Sequence, residues 1–242
     1  MTILLTGATS GIGLETLKQL IKSDNRVFAI GRDFSKIKEL DNLNEFKIKE
    51  FPFDLNNIDE IESLFAKFEL DGEKFDAFIH CAGYEETVPL TLYSVNKVKQ
   101  IYNINVFSGI EILRHFTKKK YSKDGASIVF LSSVMGVLGQ PGKIGYCSTK
   151  SAVLGIVKSS ALEFAKRKIR VNAVSPGVVN TPMTQNLFEQ ISNDNKEEII
   201  SMHPLGIGEV DDVVPTILFL ISKDSKWITG QNLIIDGGYS IQ

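Results

Sequence analysis

The chain has little with which to bind a metal or cross-link itself. Its 242 residues include two cysteines, Cys81 and Cys147, and three histidines, His80, His115 and His203. Two cysteines make neither a disulfide framework nor a zinc site, and the histidines lack ligand spacing, so no metal is expected. No apolar run approaches the roughly 18 residues of a membrane span. Gly7 and Gly11 interrupt the first apolar run almost at once, so no signal peptide is expected either. A net charge of -2 argues against a general nucleic-acid binder. There is no internal repeat, low-complexity tract or Pro/Gly-rich linker, and so no sign of a domain boundary within 1–242. What remains is the profile of a cytoplasmic globular protein with 43% hydrophobic and 23% charged residues. The length suffices for one large α/β domain.

The first thirteen residues carry the strongest signal. Ile3, Leu4 and Leu5 read as a buried parallel strand. Glycines follow at Gly7, Gly11 and Gly13. Leu14, Leu17, Leu20 and Ile21 then show helical spacing. Strand, glycine turn and helix together suit a pyrophosphate: small residues let the backbone approach it, and the amides at the helix start bear partial positive charge.

Further on, short apolar runs alternate with helical patterns, the signature of a doubly wound parallel sheet with helices on both faces, a three-layer αβα fold. Strands are expected at 26–30, 46–51, 75–79, 126–131, 169–174 and 232–235. Helices are expected over 35–43, over 58–68, as two longer elements within 94–120, and as one long element over 144–167. Ligands of such sheets lie beyond the carboxyl ends of the strands. Gly7, Arg32, Asp54, Ala82, Gly83, Ser133 and Pro176 all fall there.

Tyr146 and Lys150 stand four residues apart, on one face of the long helix. An unperturbed tyrosine is a poor acid–base group at neutral pH. A neighbouring ammonium favours the phenolate, so Lys150 is expected to lower the Tyr146 pKa and make it a usable general acid. Ser133, at the end of the fifth strand, can donate to the same substrate oxygen. Alone, a Tyr-x-x-x-Lys pair fits a solvated helix surface equally well. The neighbouring motifs decide.

Thr6-Gly7-x-x-x-Gly11-x-Gly13, Asn105 within Ile104–Gly109, Ser133, Tyr146-x-x-x-Lys150, Pro176-Gly-Val-Val-Asn-Thr181 and Ile228–Gly238 resemble, in order and spacing, the short-chain dehydrogenase/reductase family. The resemblance is especially to single-domain members like 3-oxoacyl-(acyl-carrier-protein) reductase, and it covers essentially the whole chain. The resemblance implies a Rossmann-like fold and hydride transfer between a nicotinamide cofactor and a carbonyl/alcohol pair on a small molecule, most simply ketone reduction. It makes Tyr146 the acid/base, Lys150 the residue that tunes it and holds the nicotinamide ribose, Ser133 the group that polarises the carbonyl, and Asn105 the holder of a relay water. It places Thr6, Gly7, Ser10, Gly11, Ile12 and Gly13 at the cofactor phosphates, and Asp54 and Leu55 beside the adenine. Ala82 and Gly83 approach the cofactor, and Pro176, Gly177, Val179 and Thr181 lie at its nicotinamide end.

The departures from the family pattern are informative. His80-Cys81 replaces the common Asn-Asn; His80 is expected to tie strands together and Cys81 to be a small buried apolar group. NAD-dependent relatives carry an acid at the end of the second strand. Gly31 stands there, followed by Arg32, whose guanidinium suits a 2′-phosphate. NADP(H) is therefore expected in preference to NAD(H), although Asp33 can swing in to serve a ribose hydroxyl, and Ser10 occupies a place where many NADP-dependent relatives are basic. The family also implies a homo-oligomer, most often a tetramer, packed through the long helix, and a substrate lid over 181–208 that returns through His203–Gly206. The Lys118–Lys120 run is either a helix-end charge cluster or a contact for an acidic carrier. The competing functional class is a dinucleotide-binding redox sensor without turnover; such relatives tend to lose the tyrosine or lysine that this chain keeps.

Overall fold

The computed structural model describes residues 1–37, 47–68 and 72–241. Its strands are β1 (Thr2–Thr6), β2 (Arg26–Gly31), β3 (Ile48–Pro52), β4 (Phe75–His80), β5 (Ser122–Leu131), β6 (Arg170–Pro176) and β7 (Asn232–Ile235). They form one parallel sheet in the order β3-β2-β1-β4-β5-β6-β7. The described helices are α1 (Gly11–Lys22), α2 (Ile61–Ala66), α3 (Val95–Tyr102), α4 (Ser108–Phe116), α5 (Ile144–Glu163), α6 (Pro182–Gln190), α7 (Asn193–Ser201) and α8 (Val210–Ile221).

The strands read as unbroken apolar runs because both faces of the sheet are covered. Alternate residues serve opposite cores, as the two-residue period of a strand requires. Leu4, Phe28, Ile30, Phe75 and Phe78 pack with α2, α4 and α5 through Phe65, Phe116 and Val153. Ile3, Leu5, Val27, Ala29, Ala77 and Ile79 pack with α1 and α8 through Leu17, Leu20, Ile217 and Leu220. The result is the expected three-layer, doubly wound arrangement. Strand order reverses at the β1–β4 seam, where Thr6 and His80 are register partners. A ligand crevice belongs above such a seam.

Several expected boundaries shift. Strand β5 starts four residues before 126, and β6 runs on to Pro176. The helix expected over 58–68 is a 3-10 turn at Ile58–Glu60 followed by α2. Only Ser35–Ile37, a 3-10 turn, is described of the helix expected over 35–43; Phe46 and the rest of that segment lie outside the described residues. The two helices expected within 94–120 are α3 and α4, joined by a π-helical turn at Asn103–Phe107. Such a turn inserts an extra residue into the ladder and is frequent at functional sites. The long helix ends at Glu163, and a 3-10 turn at Ala165–Arg167 leads to Lys168 in the left-handed region (φ 55°). Among the described residues no helix is long and apolar enough to cross a membrane.

Candidate active site

A cleft of about 320 Å³ opens at the carboxyl ends of the strands. Its floor is the turn after β1. Gly7 is left-handed (φ +67°), and a Cβ there would meet the Ala82 amide nitrogen at 2.7 Å. A Cβ on Gly13 would lie 2.1 Å from the Gly7 carbonyl oxygen. Neither position has room for a side chain. Ser10 occupies the N-cap of α1 without a side-chain capping bond, so the first amides of the helix keep unspent donors. Glycine floor and free amides fit a pyrophosphate. Gly7, Ser10, Gly11, Ile12 and Gly13 all line the cleft.

The ends of β2 and β3 form one wall. Gly31 and Arg32 line it. A Cβ on Gly31 would come within 2.6 Å of the Thr9 Cγ2, so Thr9 fills the space an acid would need. Arg32 is exposed. The Asp33 carboxylate accepts the Ser35 amide hydrogen at 2.8 Å and does not line the cleft. Asp54 and buried Leu55 do line it, with Asp54 Oδ1 turned back to accept from the Asn56 amide at 3.0 Å.

Beyond β4, Ala82 and Gly83 keep the backbone close; a Cβ on Gly83 would stand 3.4 Å from Lys150 Nζ. His80 does what its position suggests. Its Nδ1 meets the Thr6 hydroxyl at 2.9 Å, knitting β4 to β1. Burial, helped by the Lys150 charge, pulls its pKa down to about 3. Cys81 fits the expected small apolar group: partly buried, it packs against the core on the α1 side and also lines the cleft beside Gly13. Burial of its thiol pushes the pKa up to about 12, which disfavours the thiolate. On the opposite wall, Pro176, Gly177, Val179 and Thr181 line the cleft. Thr181 also caps α6, its hydroxyl accepting from the Thr184 amide at 3.3 Å.

Ser133, Tyr146 and Lys150 converge between these walls. Lys150 is buried, and its ammonium donates to the Leu131 carbonyl at 2.9 Å. It sits 5.6 Å from the centroid of the Tyr146 ring. The expected lowering of the Tyr146 pKa is not found. Burial pushes the phenol above its usual value, tempered by a hydrogen bond with Ser133. Lys150 is the group that drops, to about 8, also by burial. A cation held at ring distance inside an enclosed cleft is outweighed by the cost of removing the phenolate from water.

Two expected site residues stand behind the cleft. Thr6 is fully buried and bonded to His80. Asn105 is buried in the π-helical turn; its Oδ1 accepts from the Tyr84 amide at 2.8 Å, and its Nδ2 donates to the Tyr84 carbonyl at 2.9 Å and to Thr149 Oγ1 at 3.0 Å. Neither lines the cleft.

A family model described as enoyl-(acyl carrier protein) reductase matches residues 7–240. The 3-oxoacyl-(acyl-carrier-protein) reductase of Rickettsia bellii is 33% identical over 240 residues, covering 98% of this chain and 95% of that protein. The chain belongs to the short-chain dehydrogenase/reductase family. Among solved members, a 4-hydroxyisoleucine dehydrogenase mutant complexed with NADH and succinate superposes with a TM-score of 0.90 at 30% identity, over 100% of this chain and 99% of that one. ElxO with NADP bound superposes with a TM-score of 0.85 at 30% identity, again over 100% and 99%. As a short-chain dehydrogenase/reductase, the protein is an oxidoreductase of CH–OH/C=O pairs.

Sequence reasoning about this short-chain dehydrogenase/reductase missed part of the cleft. Tyr84 and Glu85 from the loop after β4, Lys143 from the start of α5, and Met183 and Leu187 from α6 line it as well. Lys143 was visible as a cation three residues before Tyr146, but its carboxylate partner lies 58 residues away in sequence. No local pattern joins them.

Proposed function

We propose that the protein is an NADP(H)-dependent ketone reductase acting on a 3-oxoacyl thioester-like or other small ketone. The observation that carries this reading is the meeting of Ser133, Tyr146 and Lys150 in the cleft that the glycine turn floors. The glycine cradle and the free amides of α1 suit a dinucleotide pyrophosphate, and Arg32 without an acid at Gly31 suits a 2′-phosphate. When bound, the nicotinamide supplies or takes up the hydride. Ser133 and Tyr146 hydrogen-bond the carbonyl oxygen. Because burial keeps Tyr146 protonated, it holds its proton until the oxygen becomes basic enough to take it. Lys150, still largely protonated at neutral pH, stabilises the phenolate left behind. Solved relatives of similar likeness carry NADH in one case and NADP in another, so the choice of cofactor here rests on Arg32 alone. The chain functions as one domain, with α6 and α7 as its substrate lid: Met183 and Leu187 face the cleft, and His203 anchors the return by accepting from the Val178 amide at 3.2 Å.

The protein works in the cytoplasm as a homo-oligomer, a tetramer on the family pattern. Support comes from apolar side chains left in the open: Leu90 is 65% exposed, Leu92 70% and Val95 68%, and α3 buries only Ile101. Light scattering at micromolar concentration tests this; a clean monomer refutes it. The activity is tested by following reduced-nicotinamide absorbance over a ketone panel with NADPH and NADH. Turnover of several ketones with NADPH is expected. Cofactor binding without turnover of any carbonyl overturns the assignment.

A further inference from the structure

We propose that Lys143 and Glu85 form a second recognition point, which selects ketones bearing a neutral oxygen two or three bonds from the reacting carbon. The proposal deepens the ketone-reductase reading and rests on it. Lys143 Nζ lies 3.0 Å from Glu85 Oε1, and each side chain is only 10% exposed. Both line the cleft, and Lys143 Nζ is 5.9 Å from the centroid of the Tyr146 ring. Lys143 immediately precedes α5, and its carbonyl accepts from the Cys147 amide at 2.7 Å, so its stem is fixed one turn before the tyrosine. The Glu85 carboxylate is near enough to the phenol to contribute to its upward shift. An oxygen held by Lys143 is therefore within a few bonds of a carbonyl held by Tyr146.

The pair is not needed to join its two loops. The Val88 amide already donates to the Gly142 carbonyl at 2.7 Å. A largely buried ion pair is weak evidence for stability, since apolar replacements are often neutral or better. What the pair offers is unspent hydrogen-bonding capacity. Lys143 has three donors and faces Glu85 Oε1 as an ion pair. Glu85 Oε1 also accepts from the Thr87 hydroxyl at 3.0 Å. Glu85 Oε2 has no partner among the described residues. A substrate therefore meets a free donor and a free acceptor side by side. The charges cancel: a substrate carboxylate drawn to Lys143 is opposed by Glu85, whereas an ester, thioester or hydroxyl oxygen accepts from Lys143 without that conflict. Val134, Met135, Met183 and Leu187, which line the same cleft, suit the carbon skeleton.

Three ketones separate the possibilities: ethyl 3-oxobutanoate, 2-heptanone of the same chain length without the two ester oxygens, and the 3-oxobutanoate anion. Calorimetric binding to the enzyme saturated with oxidised NADP, where no reduction occurs, reads recognition apart from turnover. Hydrogen bonds to charged groups correspond to about a ten- to hundred-fold effect, and the ester is expected to bind tighter than 2-heptanone by that factor. Lys143→Met should bring the two within about threefold, and Lys143→Arg should retain the preference. Glu85→Gln should strengthen binding of the anion relative to the ester by about tenfold, the scale of one charge interaction. Equal binding of the two neutral ketones, no binding of the ester, or a preference that survives Lys143→Met overturns the proposal. Should Lys143→Met fail to fold, Glu85→Gln decides alone, and no gain for the anion overturns it. A binding preference that depends on Lys143 in an enzyme that reduces neither ketone sinks the reductase reading and leaves the recognition point standing.

Discussion

Asn105 Nδ2 donates to Thr149 Oγ1 at 3.0 Å, and the Thr149 hydroxyl in turn donates to the Tyr146 carbonyl at 2.8 Å. With its two bonds to the Tyr84 backbone, Asn105 ties the π-helical turn, the loop after β4 and the helix bearing the phenol into one unit. From these three bonds we infer that Asn105 positions the phenol-bearing helix. Asn105→Ala leaves the Tyr84 amide and carbonyl without this partner, a cost of about 1–3 kcal/mol for each buried polar group left unsatisfied. Turnover is expected to fall with a lesser change in cofactor affinity. Asn105→Asp, which still accepts from the Tyr84 amide, should recover part of the rate; equal losses in both variants argue against a positioning role.

Tyr146→Phe tests the proton donor. It removes the hydroxyl and leaves the ring between Lys143 and Lys150. Loss of a general acid–base group costs roughly 10²–10⁴-fold, and kcat is expected to drop by at least that much with NADPH binding nearly intact. A variant that keeps more than about a tenth of the wild-type kcat on a good substrate, a loss far short of that range, shows that the proton comes from elsewhere.

The amount of this molecule that could be read from sequence varies with the range of the interaction. The β1–glycine–α1 unit was legible because its causes are local: a short unbroken apolar run, then glycines where Gly7 and Gly13 admit no side chain. The strand ends that line the cleft were legible because a parallel sheet collects them on one edge. Asn105 was legible from its motif, but its protein hydrogen bonds were not, since they reach Tyr84 and Thr149, 21 and 44 residues away. The direction of the Tyr146 shift was misread because spacing reports the neighbouring charge and says nothing of burial, which wins here. The Lys143–Glu85 pair went unseen because two loops must fold together before the charges meet.

His80 makes folding sensitive to acid. Its folded pKa is near 3, against an ordinary value of 6.5, so the unfolded chain binds the extra proton between those values. The stability this group contributes is fully present above pH 6.5 and is lost as pH falls toward 3. Between pH 6.5 and 5 the loss is about 2 kcal/mol, from roughly 1.4 kcal/mol per pH unit. His80→Asn can still bond to Thr6 and does not titrate. Urea unfolding at the two pH values should show the wild type losing about 2 kcal/mol more than the variant. Parallel losses would show that His80 does not set the acid limit.

The proposed NADP(H) preference turns on Arg32. The end of β2 offers no carboxylate to repel a 2′-phosphate, because Thr9 packs against Gly31 where an acid would stand. Asp33, next to Arg32 in the chain, has one oxygen on the Ser35 amide. Arg32 lines the cleft and is exposed, so its guanidinium is accessible from the site and loses little solvation before a ligand arrives. A charge-assisted hydrogen bond is worth roughly 1.5–3 kcal/mol. Arg32→Ala is therefore expected to weaken NADPH by about ten- to a hundred-fold and to leave NADH nearly unchanged. Asp33→Ala should not reduce NADH use if that carboxylate serves only its own turn. Side-by-side kcat/KM values for the two cofactors decide the matter: a wild type that prefers NADH, or an NADPH/NADH ratio unmoved by Arg32→Ala, refutes the assignment.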